Sequence, residues 1–270
     1  MSIYVQLLTN SFASVTSVQN YVSGIQTVHK ELQLPFPDLD QHWYRSQIKG
    51  ATRLLKHAPN QAQPITPEIL TSIHGILDFS KSFQATVWAA ILIGYFSFAR
   101  ISNIVPPSAN VKAPHMALLR QHVSVSEHMV LLSFYHTKTL QDGNRVLQIP
   151  LSALPHSPLC PVWAYQHMLT LSPAPLTNPA FCFKTSHLKV LTQSVLIKAL
   201  RLLISCLGLP QHLYSGHSLR RGGATQAFAC GVPTELIKFH GDWSSDAYLA
   251  YIKFSLPERL KVSKVMAKSK

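Results

Sequence analysis

Positions 85–99 read ATVWAAILIGYFSFA, fifteen residues without a charge, and no other stretch restricts the fold of this chain as tightly. A helix apolar on all its faces must be covered on every side, either by lipid or by other protein elements. Crossing a bilayer takes about 20 consecutive apolar residues. This run is shorter, stops at Arg100, and is followed by Pro106 and Pro107. The pattern therefore predicts a helix over 82–99 at the centre of a protein core, with Arg100 at its end, and no membrane span. Between Ser82 and Val111 Arg100 is the sole charge. A cation in that position either caps the helix carbonyls or has chemistry to do.

The rest of the chain supplies the cover. Residues 14–33 have the spacing of an amphipathic helix, with Val15, Val18, Val22, Ile25 and Val28 on related faces, and LPFPDLD breaks it. A second helix over 41–57 sets Trp43, Ile48, Leu54 and Leu55 among Arg45, Lys49, Arg53 and Lys56. The stretch 57–68, HAPNQAQPITPE, is polar and contains three prolines, so a linker is expected over 58–66. Thr66-Pro67-Glu68 is a helix start, leading into a helix over 67–77. The period then changes. HVSVSEHMVLLSFYHTK alternates, DGNRVLQIPL adds a turn and a second alternating run, and together they predict about three antiparallel strands between 121 and 151. CPVWAYQHML and TQSVLIKALRLLISCLGL return to helical spacing, and the last 55 residues read as helices broken by glycines. The expected fold class is mainly α with a small antiparallel β-sheet (α+β).

Composition narrows the function. With 47% apolar and 13% charged residues, the chain is not a disordered one. Its formal charge is +13, and residues 160–270 hold 13 Lys and Arg against 4 Asp and Glu. Such a surplus favours a polyanionic partner, nucleic acid before a membrane surface. Four cysteines lie far apart with no C-x-x-C pair, and MSIYVQLLTNSF lacks the basic start and apolar core of a signal peptide. The reading is a reduced, intracellular protein whose cysteines are small buried hydrophobes. Fourteen histidines are scattered without metal-ligand spacing and the 11 acids are dispersed, which argues against a metal site and against a metal-dependent nuclease.

The stretch 216–254, GHSLRRGGATQAFACGVPTELIKFHGDWSSDAYLAYIKF, gathers the groups that phosphate chemistry needs. A guanidinium fork holds two phosphate oxygens at once, and two forks from separate parts of a chain clamp the group as charge develops on it. Displacement further requires a nucleophile, for which tyrosine serves, and a proton carrier, for which histidine or lysine serves. His217 and Arg220 are three apart and share a face of a helix start. Lys138 lies at the tip of the expected hairpin, in FYHTKTLQDG, and Tyr251 lies in a helix near the C-terminus. Taken singly, each has a plain structural reading: a helix cap for Arg100, a core histidine for His217, a solvated lysine for Lys138, packing for Trp243 and Tyr251. Taken together, those readings require a separate coincidence at every position. Arg221 and Lys253 are candidates for contacts to a nucleic-acid backbone.

These residues resemble the tyrosine recombinases, the family of phage integrases and mobile-element recombinases, whose catalytic pattern runs arginine, lysine, His-x-x-Arg, His or Trp, and tyrosine. GYFSFARISNI resembles the first arginine motif (Arg100), HTKT the hairpin lysine motif (Lys138), and GHSLRRGGAT the His-x-x-Arg motif (His217, Arg220). HGDWSSDAYLAYI resembles the closing motif (Trp243, Tyr251). The wording of ARISN and GDWSSDAYLAYI is closest to eukaryotic Crypton-like elements. The likeness covers about 65–260 and departs in two places: Asn103 stands where many members have an acid, and Trp243 to Tyr251 is eight residues, one fewer than is common in bacterial members.

The resemblance implies a domain plan: 1–57 as part of a helical core-binding domain, 58–66 as linker, 67–262 as catalytic domain, and 263–270 as a basic tail. It implies cleavage of double-stranded DNA by Tyr251 through a 3′-phosphotyrosyl bond. Arg100 and Arg220 would hold the phosphate, Lys138 would protonate the leaving oxygen, His217 would manage the tyrosine proton, and Trp243 would buttress the phosphate. No metal or nucleotide cofactor is implied; a synaptic tetramer on DNA is, with a nuclear location in a eukaryote. Two alternatives stay open at this point: a domesticated, non-catalytic DNA-binding protein on the same fold, and a relaxing enzyme of the type IB topoisomerase kind.

Overall fold

A computed structural model describes residues 1–55, 62–109, 118–137, 140 and 145–251. The chain forms two compact units, Met1–Gln61 and Ala62–Lys270.

The first unit packs three helices, α1 (Ser2–Ser11), α2 (Val15–Glu31) and α3 (His42–Leu54), around Val5, Leu8, Val18 and Val22. Ser14 caps α2, its hydroxyl accepting from the Ser17 amide at 3.2 Å. The spacing in 14–33 and 41–57 anticipated α2 and α3, whereas α1 was not foreseen.

In the second unit the chain enters extended. Ile65 is fully buried, and the amides of Gln63 and Ile65 donate to the carbonyls of Leu213 and Ser218. Residues 62–66, expected to belong to a linker, are thus built into this unit. Thr66 then caps α4 (Pro67–Ile76), accepting from the Ile69 amide, with Pro67 at the first helical position.

The apolar run becomes α5 (Ser82–Phe96), buried at every position from Ala85 to Tyr95. It packs against α7 (Pro161–Leu171), α8 (Gln193–Cys206) and α9 (Gly216–Ala229). The helix ends three residues before the expected limit of 99, so Arg100 does not terminate it. Ser97 turns its hydroxyl back to the Ile93 carbonyl at 2.6 Å and accepts from the Ala99 amide, while Phe98 takes a left-handed φ of 49°. Hydropathy could not mark this stop, because the apolar run continues through it to Ala99. The chain restarts as the short α6 (Ile101–Ile104) with Arg100 at its N-cap.

The expected sheet is present as an antiparallel meander of β1 (Val123–Val125), β2 (Met129–Phe134) and β3 (Leu147–Ser152). Its register pairs Leu132 with both Val123 and Ile149. Val130, Leu132 and Phe134 alternate inward, as do Leu147, Ile149 and Leu151, so one face lies on the core. A second, two-stranded hairpin, β4 (Cys182–Lys184) with β5 (Leu188–Val190), was not foreseen, since three-residue strands are too short for alternation to register. Cys160 and Cys182 are buried as expected of small hydrophobes, but Cys206 and Cys230, near the ends of their helices, are exposed.

The C-terminal part runs through α9, α10 (Thr234–His240) and a 3-10 turn, Asp246–Tyr251. Tyr251 therefore stands in a 3-10 turn rather than an α-helix. Gly222 and Gly223, read as breaks, lie inside α9. A Cβ on Gly222 would stand 2.0 Å from the Ile65 carbonyl oxygen, and one on Gly223 would stand 2.1 Å from that of Tyr95. A helix with side chains there could not come this close to the entering chain and to α5.

Candidate active site

Arg220 is the centre of the site. It lies on the second turn of α9, 3% exposed. Burying a guanidinium is costly unless its donors are bonded. Here one arm donates to the carbonyl of Phe98, and the other to that of Gly241 at 2.8 Å. Both acceptors are products of tight turns: Phe98 by its left-handed backbone after α5, Gly241 by the end of α10. The Trp243 ring closes the socket, its centroid 3.8 Å from the guanidinium carbon. A side chain at 241 would run into that indole, its Cβ falling 1.7 Å from a ring carbon.

Burial draws the Arg220 pKa down to about 10, Arg100 pushes the same way, and Tyr251 and Asp242 oppose them. At neutral pH the group stays charged. The influence of Arg100 also reaches His217, at the start of α9, part of whose surface stays open to solvent. Burial first, then Arg220 and Arg100, lower its pKa from the ordinary 6.5, so the neutral imidazole dominates at pH 7. The chain brings these residues together through caps at both ends of the cluster. Ser215 and Ser218 form a reciprocal box that starts α9 beneath His217. The Asn103 amide donates to the Arg100 carbonyl at 2.8 Å, closing the turn of α6.

Tyr251 reaches this cluster from the C-terminal side. Its carbonyl accepts from the Thr225 hydroxyl at 2.8 Å, which ties the 3-10 turn to α9, and its phenol is near enough to oppose the lowering of the Arg220 pKa. Its ring lies 5.9 Å from that of Trp243. Tyr248, the other tyrosine of the turn, is buried against Trp243 and below the Lys238 ammonium, as a packing residue.

Of the positions singled out in the sequence, the structure thus assembles Arg100, His217, Arg220, Trp243 and Tyr251 in one place. Lys138 and Lys253 lie outside the described residues. Arg221 is corrected: it is buried at 8% exposure and donates to the Ala62 carbonyl at 3.0 Å. It points inward because α9 turns opposite sides of its first turns to the entering chain and to the Trp243 turn, and consecutive arginines cannot share one side. Sequence reasoning missed the residues that hold Arg220, because Phe98 and Gly241 act through their carbonyls, which any residue possesses. It also missed His240, whose Nε2 donates to the Phe96 carbonyl at 2.8 Å and whose ring packs on Phe98, and Asp242, for which a carboxylate beside Trp243 was the available signal.

No family profile matches the sequence, and no curated protein matches it. Solved structures do. The Tn1549 transposon integrase, in a variant complexed with circular-intermediate DNA, superposes with a TM-score of 0.60 at 12% identity, over 97% of this chain and 83% of that one. XerH site-specific recombinase bound to difH substrate gives 0.54 at 17% identity over 78% of this chain. XerA recombinase gives 0.50 at 13% identity, over 99% of this chain and 97% of its own. The chain spans 55% of the XerH chain. The mainly helical core, the small antiparallel sheet and the likeness to three recombinases together identify the architecture: this chain has the tyrosine recombinase catalytic-domain fold.

Proposed function

We propose that this protein cleaves and rejoins DNA strands in the recombination of a mobile element, with Tyr251 as nucleophile. The observation that carries the reading is the Trp243 indole that packs on both partners: its ring centre lies 3.8 Å from the carbon of a guanidinium already anchored by two carbonyls and 5.9 Å from the centre of the Tyr251 ring. A group suited to bind a phosphate and a group able to attack it are thereby gathered on one indole within one chain, the kind of proximity on which a displacement depends.

In this reading Arg100 and Arg220 bind the non-bridging oxygens of a phosphodiester. The Tyr251 oxygen forms a bond to phosphorus as the bond to the 5′ oxygen breaks, leaving a 3′-phosphotyrosyl linkage. Neutral His217 accepts the phenol proton, Lys138 protonates the departing 5′ oxygen, and Trp243 keeps Arg220 in place. The bond energy stays in the ester, so attack by another 5′-hydroxyl restores a phosphodiester without a cofactor. Double-stranded DNA is the partner, in a tetramer at synapsis, and the three-helix unit supplies further contacts to the duplex.

The test is covalent trapping on a pool of nicked duplexes of varied sequence, from which the 5′ product escapes after cleavage. The native protein should yield a denaturation-resistant protein–DNA adduct. Tyr251→Phe should abolish it while changing DNA affinity by less than about 1 kcal/mol, since one hydroxyl is lost. Tyr248→Phe should leave it intact. An adduct that persists in Tyr251→Phe and disappears in Tyr248→Phe would move the nucleophile; one that survives both would remove tyrosine chemistry altogether. Adduct-free binding by the native chain would favour a non-catalytic DNA-binding role.

A further inference from the structure

Asp242 occupies an unusual place. It immediately precedes Trp243 and has a φ of 52°, in the left-handed region that aspartate and asparagine tolerate better than most side chains. Its two carboxylate oxygens are bonded to two arms of one hairpin. Oδ1 accepts from Arg145 at 2.6 Å, and Arg145 leads into β3. Oδ2 accepts from the Thr137 hydroxyl at 3.2 Å, and Thr137 follows β2. The Thr137 arm is itself closed by reciprocal backbone bonds between Thr137 and Leu140. The Asp242 side chain is 9% exposed and that of Arg145 53%, so the ion pair is sheltered on its carboxylate side.

The carboxylate thus joins two regions far apart in sequence. One is the hairpin whose next residue after Thr137 is Lys138. The other is the turn that supplies the Gly241 carbonyl and the Trp243 ring to Arg220. Packing between the hairpin and α10 could hold them near one another. Directed bonds set the hairpin's rotation relative to the guanidinium, and the two oxygens of a single carboxylate, each accepting from one arm, set it with both.

Resting on the strand-transfer reading above, we propose that Asp242 is a positioning residue, which fastens the β2–β3 hairpin to the Trp243 turn so that hairpin and Arg220 socket act as one body.

The test uses Asp242→Asn, Arg145→Gln, Arg145→Lys and the double variant Asp242→Asn/Arg145→Gln, all in the full chain. Asparagine retains the volume and the left-handed backbone, so loss of the fold is not expected. Each of the Asn and Gln variants should slow adduct formation at saturating DNA by about 10- to 100-fold, as displacement of a reacting group does. DNA affinity should stay within about 3-fold, and Arg145→Lys should keep more of the rate than Arg145→Gln. The double variant should be no slower than the slower single one, because both remove the same bond. Amide exchange of Thr137 and Leu140 in the DNA-free protein should accelerate in Asp242→Asn, Arg145→Gln and the double variant.

Losses that multiply in the double variant, or rates and exchange that stay at native levels, would overturn the proposal. The exchange measurement separates it from the reading on which it rests. If no native adduct forms on any duplex while exchange responds as expected, strand transfer fails and the fastening stands.

Discussion

Helices α5 and α9 are both buried, for opposite reasons. In α5 every residue from Ala85 to Tyr95 is inside, and all but Thr86 and Gly94 among them are apolar or aromatic. Burial follows from composition, and the backbone bonds are satisfied within the helix. In α9 the buried stretch is Ser218 to Ala224, which includes Ser218, Arg220, Arg221 and two adjacent glycines. By composition that stretch belongs on a surface. It is inside because named acceptors await it: Phe98 and Gly241 for Arg220, Ala62 for Arg221, the Ser215 amide reaching the Ser218 hydroxyl. Burial in α5 is general and tolerates apolar exchange, whereas burial in α9 is specific and depends on each partner.

That contrast can be broken at either helix. Leu92→Ala, at a fully buried position of α5, should cost about 2–5 kcal/mol in urea unfolding through lost transfer energy and a cavity. Adduct formation well below the melting temperature should stay near native. Arg220→Lys should do the reverse. One ammonium cannot span both carbonyls and a phosphate, so the adduct rate should fall by about 100-fold or more. The stability loss should stay near 1–3 kcal/mol, for the acceptor left unbonded. A lysine variant with native rate would show that the fork geometry is dispensable.

Glycines sharpen the same comparison at smaller magnitude. Gly222→Ala places a methyl against the Ile65 backbone, which cannot rotate away, and should destabilise by about 1–3 kcal/mol. Gly75→Ala, where a Cβ meets nothing within 4 Å, should stabilise by up to about 1 kcal/mol. Equal effects at the two sites would refute close approach as the reason for the glycine pair.

The smallest expected effect is on pH dependence. His217 and His240 have pKa values below the ordinary 6.5, with burial the largest cause for both. The unfolded chain therefore binds protons at a higher pH than the folded one, and stability rises with pH through this range. The contribution is fully present above about 6.5 and is lost as pH falls toward the folded values. Melting at pH 7.5 and 5.5 should show this decrease, and a smaller one in His240→Gln, whose amide can still donate to Phe96. An unchanged difference in that variant would assign the dependence elsewhere.

Much of the fold was legible because hydrophobic period is local. The run at 85–99, the alternation in β2 and β3, and the Thr66-Pro67 start each carry their meaning within a few residues. Where period gave no mark, reading failed: α5 ends inside its own apolar run, and β4 and β5 are too short to alternate. The site divided along a similar line. Arg100, His217, Arg220 and Tyr251 were singled out by residue type, since guanidinium, imidazole and phenol are the groups that phosphate displacement uses, and Trp243 by the chain order that the resemblance to tyrosine recombinases implies. Arg221 carried the same side chain as Arg220 and could not be told from it, because the two differ only in the direction each takes from α9.

By itself, then, the sequence determined which segments must be buried, where the sheet lies and which chemical groups are present, all properties of residue type and short-range spacing. Only the tertiary structure decided which arginine is a socketed site residue and which is a structural pin. It alone also assigned Phe98, Gly241 and Asp242 their parts. Two of those act through backbone carbonyls, which are the same in every residue and gain identity only from where the chain aims them, and the third through a carboxylate whose partners stand 97 and 105 positions away. Hydrogen bonds of that range depend on direction in three dimensions, and no local pattern encodes direction.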